Sequence, residues 1–328
     1  METKQGLFVL FFLLSISILT AQTGFDQNEN KVFTNLGKAL QQRDRVYHLD
    51  LSDQNLKTIP KAILQFERLI TLDLSNNQLA SLSSLELERL NQLKGVNLHG
   101  NRFKEIPEEL LNCRNLEEVN LGDNAIRLVP ESINDWKFLT TLRLHHNRID
   151  SISDKVRLKN VQLLRLDGNQ LKSLPESMFL AEAKLEHLNI NDNEINKLPP
   201  SLYALRIEHL DIGANAFENL EGLQQLSSLR FLVLDWLTLE ETDLQEVVKL
   251  SKLRVLSMEN CNIQQLPASI GDLSDLRELS LMNNQMEGLP HTLMELKRLN
   301  KLWLNGNPLS EVDLKEIQQK LHKTELKI

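Results

Sequence analysis

The stretch Leu139-Thr140-Thr141-Leu142-Arg143-Leu144-His145-His146-Asn147-Arg148-Ile149 decides how this chain is read. Its apolar residues are Leu139, Leu142, Leu144 and Ile149, and Asn147 stands in the ninth place. A helix would keep its apolar positions three or four residues apart, and a half-buried strand two apart. This stretch holds neither period throughout. The same frame begins again at Val46, Leu69, Leu93, Leu116, Leu139, Val161, Leu185, Ile207, Leu229, Leu253, Leu276 and Leu299, at intervals of 22 to 24 residues. A length of 328 residues alone would suggest two domains, but a regular repeat grows by stacking along one axis without closing a globular core. One elongated domain is expected.

The physics of each unit follows from its places. The fourth and sixth are apolar and point inward from a short strand, so the third, fifth and seventh face the opposite, concave side by the two-residue period. Nine of the twelve frames carry Asn in the ninth place: Asn77, Asn101, Asn124, Asn147, Asn169, Asn193, Asn215, Asn284 and Asn307. The chain turns inward there and leaves backbone groups that water cannot reach. A side chain with both donor and acceptor satisfies them. An apolar residue followed by proline recurs at Ile59-Pro60, Ile106-Pro107, Val129-Pro130, Leu174-Pro175, Leu198-Pro199, Leu266-Pro267 and Leu289-Pro290. Proline fixes φ and donates no backbone hydrogen bond, which suits the bend to the convex side. Gly100, Gly122, Gly168 and Gly306 fall in the repeat turn and are assigned to backbone geometry. A column of Phe66, Cys113, Trp136, Leu205, Leu273 and Leu296 lies further in, and makes Cys113 a core residue.

With its LxxLxLxxN halves and its apolar-proline halves, the chain resembles the leucine-rich repeat family over nearly its whole length from Val46 to Leu309. The resemblance implies an α/β solenoid: a curved horseshoe with a parallel β-sheet on the concave face and short 3₁₀, helical or extended segments on the convex face. It implies a non-catalytic scaffold that binds a protein or peptide on the concave face. Similar proline-containing repeats occur in bacterial exported proteins and in cytoplasmic adaptors of the small-GTPase pathway type. Cys261 stands where the frame expects Asn, an accepted substitute in this family.

The two ends carry their own signals. Residues 1–21 read as a secretory signal: Lys4 precedes an apolar run from Leu7 to Leu19, too short to span a membrane, and cleavage is placed after Ala21. Residues 22–45 form a predicted N-terminal helical cap, with Val32, Phe33, Leu36 and Leu40 at helical spacing. Residues 310–328 form a C-terminal helical cap that starts with Ser310-x-x-Asp313 and presents Leu314, Ile317 and Leu321 on one face. The two cysteines, Cys113 and Cys261, lie seven repeats apart. At about 4.8 Å per strand that is roughly 30 Å, far beyond disulfide reach. No Asn begins an N-x-Ser/Thr sequon and no cysteine-rich cap is present, so the reading favours a bacterial exported protein, secreted or periplasmic. A net charge of -8 argues against a nucleic-acid partner, which needs clustered Lys and Arg. The mature chain is expected without a membrane span, as a monomer.

No nucleophile with a positioned base, paired carboxylates on a rigid pocket or phosphate-binding loop is found, so no catalytic residue, cofactor or metal is assigned. Candidate binding residues fall in two groups on the concave face. Phe231, Val233, Trp236, Val255, Met282 and Trp303 form an expected aromatic and aliphatic region toward the C-terminal end. Such patches mark partner sites, and aromatics are enriched among binding hot spots. The bland alternative is that they cover an irregular repeat, the one starting at Leu229, which puts Leu237 where the ladder expects Asn. The second group, Arg143, Arg165, His145 and His146, is suited to an acidic side chain, with Asp167 as the residue that would neutralise it. His187 and His209 share the third place of adjacent repeats, near enough for one metal but without a clear third ligand. A cell-envelope glycan binder is the alternative class, because aromatic rings stack on sugars.

Overall fold

The computed structural model describes residues 31–82 and 86–328. The segment expected to be a signal lies outside them. Among the described residues, each of the twelve frames forms a three-residue strand over its third to fifth places, from His48–Asp50 through Thr141–Arg143 to Lys301–Trp303. The frame strands join one at each end in a single fourteen-stranded sheet whose order follows the chain. Every pairing is parallel and in frame register: Leu142 stands beside Val119 on one side and Leu164 on the other. A one-residue slip would turn the whole apolar column outward, so the leucines fix the register.

Return segments follow from the prolines. Pro60, Pro130, Pro175, Pro199, Pro267 and Pro290 each precede a short 3₁₀ helix, and Pro107 precedes the α-helix Glu108–Leu111. Proline supplies the extended φ before the turn and its carbonyl receives the first helical N–H, as Pro60 does from Ile63 at 3.1 Å. The repeat starting at Leu229 instead returns through a longer α-helix, Glu241–Val247, closed by a capping box between Glu240 and Asp243. Cys113 and Trp136 are buried in the inner column, and the Trp136 indole N–H donates to the Leu110 carbonyl at 3.1 Å.

The asparagine ladder is made bond by bond. Asn147 Nδ2 donates to the carbonyls of Leu121, Leu144 and His145 at 2.9, 3.0 and 3.2 Å, while Oδ1 accepts from Ile126 N–H at 3.0 Å. Where the ladder lacks Asn, the chain repairs itself. The Leu234 carbonyl takes the Leu237 backbone N–H at 3.2 Å and the Cys261 thiol at 3.2 Å. Cys261 is thus a ladder residue, and burial pushes its thiol up to about 12.

Immediately before the ladder, the eighth place has positive φ in all twelve repeats: Asp53, Asn76, Gly100, Asp123, His146, Gly168, Asp192, Ala214, Trp236, Asn260, Asn283 and Gly306. The left-handed turn directs the chain inward, and it explains why Gly, Asn and Asp dominate that column. Gly122 is different. It sits in the seventh place without a positive φ, so turn geometry does not account for it.

Both ends depart from expectation. Val32 and Phe33 do not belong to a helix; they form an edge strand that pairs with His48 and Leu49, and the helix is confined to Leu36–Leu40 behind an Asn35 cap. Edge pairing satisfies backbone groups of the first repeat that a helix would have left open. At the other end the helix Glu311–Lys320 starts at Ser310, whose hydroxyl accepts from Asp313 N–H at 3.2 Å. Glu325–Lys327 then adds a final strand beside Lys301–Trp303, although it carries no repeat frame.

Candidate functional site

The polar fifth column begins as scaffold. Carboxylate or amide oxygens of Asp50, Asp73, Asn97, Asn120, Asn189 and Asp211 each accept the backbone N–H two residues on, at 2.8 to 3.2 Å. Arg143 and Arg165 interrupt this pattern. Arg165 forks onto Asp167, with Nε to Oδ1 at 3.0 Å and Nη2 to Oδ2 at 2.7 Å. Arg143 is only 7% exposed and faces Glu118 at 4.0 Å. Burial pushes the Glu118 carboxyl up and the Arg143 guanidinium down from their ordinary values. The two arginines therefore serve acidic residues of the chain itself: Glu118 reaches Arg143 from the flanking strand, and Asp167 follows Arg165 two places on in its own repeat.

His145 and His146 take part in a different cluster. His99 Nδ1, His145 Nε2 and His146 Nδ1 lie 3.3, 3.8 and 3.4 Å from the carboxylate of Asp123. His145 is buried, and its imidazole is pushed down to about 3 by burial first and then by Arg165, His146 and His99. His187 and His209 stack face to face with centroids 4.2 Å apart, and His209 stacks on Phe231 at 4.0 Å and 9°. Burial lowers both imidazoles, His209 to about 3. Among the described residues, the group with metal-ligand spacing is His99, Asp123 and His145, and not the His187 pair.

The C-terminal region is smaller than its residue types suggest. Val233 and Trp303 are each only 6% exposed. Val233 lies between Asp211 and Ser257 in the sheet, and Trp303 is covered from the added last strand, with Lys301 and Lys327 ammonium groups 5.8 and 5.9 Å from its ring. Neither belongs to an exposed patch. Phe231, Val255 and Met282 remain half-buried, and Trp236 is 52% exposed. Trp236 holds φ +65° in the left-handed turn, where nine of the eleven other repeats place Asn, Asp or Gly.

These features define a parallel-sheet solenoid with a ladder-bonded interior and a concave face of uneven chemistry. The chain belongs to the leucine-rich repeat family. Models described as leucine rich repeat match residues 44–103, 137–195 and 159–217, and one described as leucine-rich repeat region matches 210–319. No curated protein matches the chain significantly in sequence. Among solved structures, it resembles a leucine-rich repeat protein of Leptospira interrogans at 25% identity, covering 91% of this chain and 100% of that one, with a TM-score of 0.51. An internalin from Listeria monocytogenes shares 23% identity over 80% of this chain and 81% of its own, with a TM-score of 0.62. The leucine-rich repeat ectodomain of a plant membrane receptor kinase from Arabidopsis thaliana, solved in complex with Casparian strip integrity factor 2, shares 26% identity over 81% of this chain and 39% of its own, with a TM-score of 0.60. Membership in this family makes the chain a protein–protein interaction scaffold.

Proposed function

We propose that this chain is an exported, non-catalytic scaffold that binds a protein or peptide on its concave face, at the region of Phe231, Trp236, Val255 and Met282. Trp236 carries the proposal. A bulky residue in the left-handed region costs about 1 to 2 kcal/mol relative to its ordinary conformations, and a half-exposed indole gains only part of the burial energy that would offset it. Stability alone does not select such a residue at that turn. Strained, exposed aromatics are what partner sites use. The stacked ladder His187, His209 and Phe231 supports the reading, because it makes a rigid platform at the edge of the region. The apolar run Leu7 to Leu19 supports export, and the plant receptor complex supports partner binding by this kind of solenoid.

The test is affinity capture from a bacterial envelope extract, using the mature chain and two variants. Trp236→Asn keeps a residue that Asn76, Asn260 and Asn283 show to fit the turn. Phe138→Ser removes an aromatic that is 59% exposed but lies outside the proposed region. Protein bands retained by wild type and Phe138→Ser, and lost with Trp236→Asn, are expected. Captured polysaccharide in place of protein would replace the reading with a glycan-binding one.

A further inference from the structure

His99 and His145 occupy the same seventh place two repeats apart, and the residue between them in that column is Gly122. With no side chain at Gly122 the imidazoles close across the gap, centroids 5.5 Å apart and 24° from parallel. A Cβ on Gly122 would stand 2.2 Å from His145 Cε1. Asp123, in the next place, sends its carboxylate to both rings. One donor atom from each of His99, Asp123 and His145 lies within 4.8 Å of the others.

Nδ1 of His99 and Nδ1 of His145 are both buried and make no hydrogen bond. His145 as a whole is 7% exposed. An orphaned buried polar atom costs about 1 to 3 kcal/mol, and native proteins satisfy nearly all of them. His99 Nδ1 is such an atom and stands beside the Asp123 carboxylate, which His145 Nε2 also approaches; together they point to a bound species that accepts lone pairs. We propose that His99, Asp123 and His145 bind one divalent transition-metal cation of the zinc class.

The donor set selects this class. Imidazole nitrogen suits zinc, nickel and copper, whereas magnesium and calcium take oxygen ligands. Tetrahedral zinc with bonds of 2.0 to 2.2 Å holds its donors roughly 3.3 Å apart. His99 Nδ1 and His145 Nε2 stand 3.3 and 3.8 Å from Asp123 Oδ2, near that spacing, and the three donors lie within 4.8 Å of one another. His146 Nδ1 lies 3.4 Å from the outer oxygen, Oδ1, and acts as a positioning residue for the carboxylate. Charge also permits the ion. Asp123 contributes an anion, and the nearby Arg165 is paired with Asp167. The three ligands come from three successive repeats, so the ion ties them together. It leaves a fourth position for water or a donor from a partner.

The experiment uses tag-free chain, stripped with a chelator and titrated calorimetrically with Zn²⁺ and, separately, with Mg²⁺. One Zn²⁺ per chain and no Mg²⁺ binding are expected. Asp123→Asn and His145→Gln should each weaken Zn²⁺ binding at least tenfold, while His187→Gln leaves it unchanged. Absence of saturable Zn²⁺ binding overturns the proposal, and so does loss of binding in His187→Gln with retention in His145→Gln. Should a variant fail to fold, Co²⁺ added to the wild-type chain decides. A strong visible absorption of tetrahedral type supports the site, and only the weak absorption of hydrated Co²⁺ overturns it.

Discussion

Replacing Gly122 with alanine probes the centre of the concave face with a single methyl group. The backbone at Gly122 does not need glycine, since its φ is not positive. Alanine at a compatible glycine normally stabilises by about 0.4 to 1 kcal/mol through the unfolded chain. Here the new Cβ would meet three atoms of the His145 ring at 2.2, 2.5 and 2.6 Å. Relief requires the ring to leave its buried place or the sheet to shift, and overpacking of this kind costs about 1 to 3 kcal/mol. The clash therefore outweighs the entropic gain, and Gly122→Ala should lower stability by roughly 1 to 2 kcal/mol. Removing the obstacle separates the two effects. In a His145→Ala background the same Gly122→Ala change should be neutral or stabilising. Urea unfolding of the four proteins closes the cycle, with an expected coupling of about 1 to 3 kcal/mol between neighbours in contact. Equal cost of Gly122→Ala in both backgrounds would refute the reasoning, because the penalty would then not come from the ring.

Three other outcomes follow from the same interior. Asn147→Leu removes four hydrogen bonds and strands buried partners in the middle of the ladder; a loss of roughly 3 to 5 kcal/mol in urea unfolding is expected, and a loss under 1 kcal/mol would contradict the ladder's role. Burial, followed by the neighbouring Asp235 and Asp167 charges, raises the Asp211 carboxyl from 3.8 to about 7, against the lowering effect of hydrogen bonds from Gly213 and Asn191. Between those values the folded state holds a proton that the unfolded chain has released, so stability falls as pH rises through that window. Asp211→Asn keeps an oxygen for both donors and should be more stable than wild type at pH 8, with the gap in melting temperature shrinking toward pH 4. Cys113 and Cys261 are buried with thiols pushed up to about 12, so neither should react with a thiol reagent at pH 8 until the chain is unfolded.

Much of the architecture is legible in the sequence because the physics that builds it is periodic. Leu142, Leu144 and Asn147 state a strand, an interior and a turn in one frame, and the other repeats restate it. The ends are less legible. Val32 and Phe33 have helical spacing but pair as a strand, since an open sheet edge offers them backbone partners that spacing does not record. Glu325–Lys327 has no frame at all, and it is the strand that covers Trp303. The site was half-legible for a related reason. Reading the columns place by place finds Phe231, Arg143 and His145, whereas the metal-type cluster joins His99 and His145 across Gly122 in the seventh column to Asp123 in the eighth. Two histidines flanking a glycine in the seventh column are the signal that could have found it. Side-chain burial is a property of neighbours, and Arg143 beside Glu118 shows how a charged residue on the concave side is spent within the chain.

Partner binding at the turn of Trp236 is tested most directly by the affinity of the captured partner for three proteins: wild type, Trp236→Asn and Phe138→Ser. A central hot-spot aromatic is worth about 2 kcal/mol or more, roughly a thirtyfold change in Kd. Trp236→Asn should weaken binding by that factor while Phe138→Ser binds as wild type does. Equal affinity for wild type and a folded Trp236→Asn would contradict the claim that this face holds the partner.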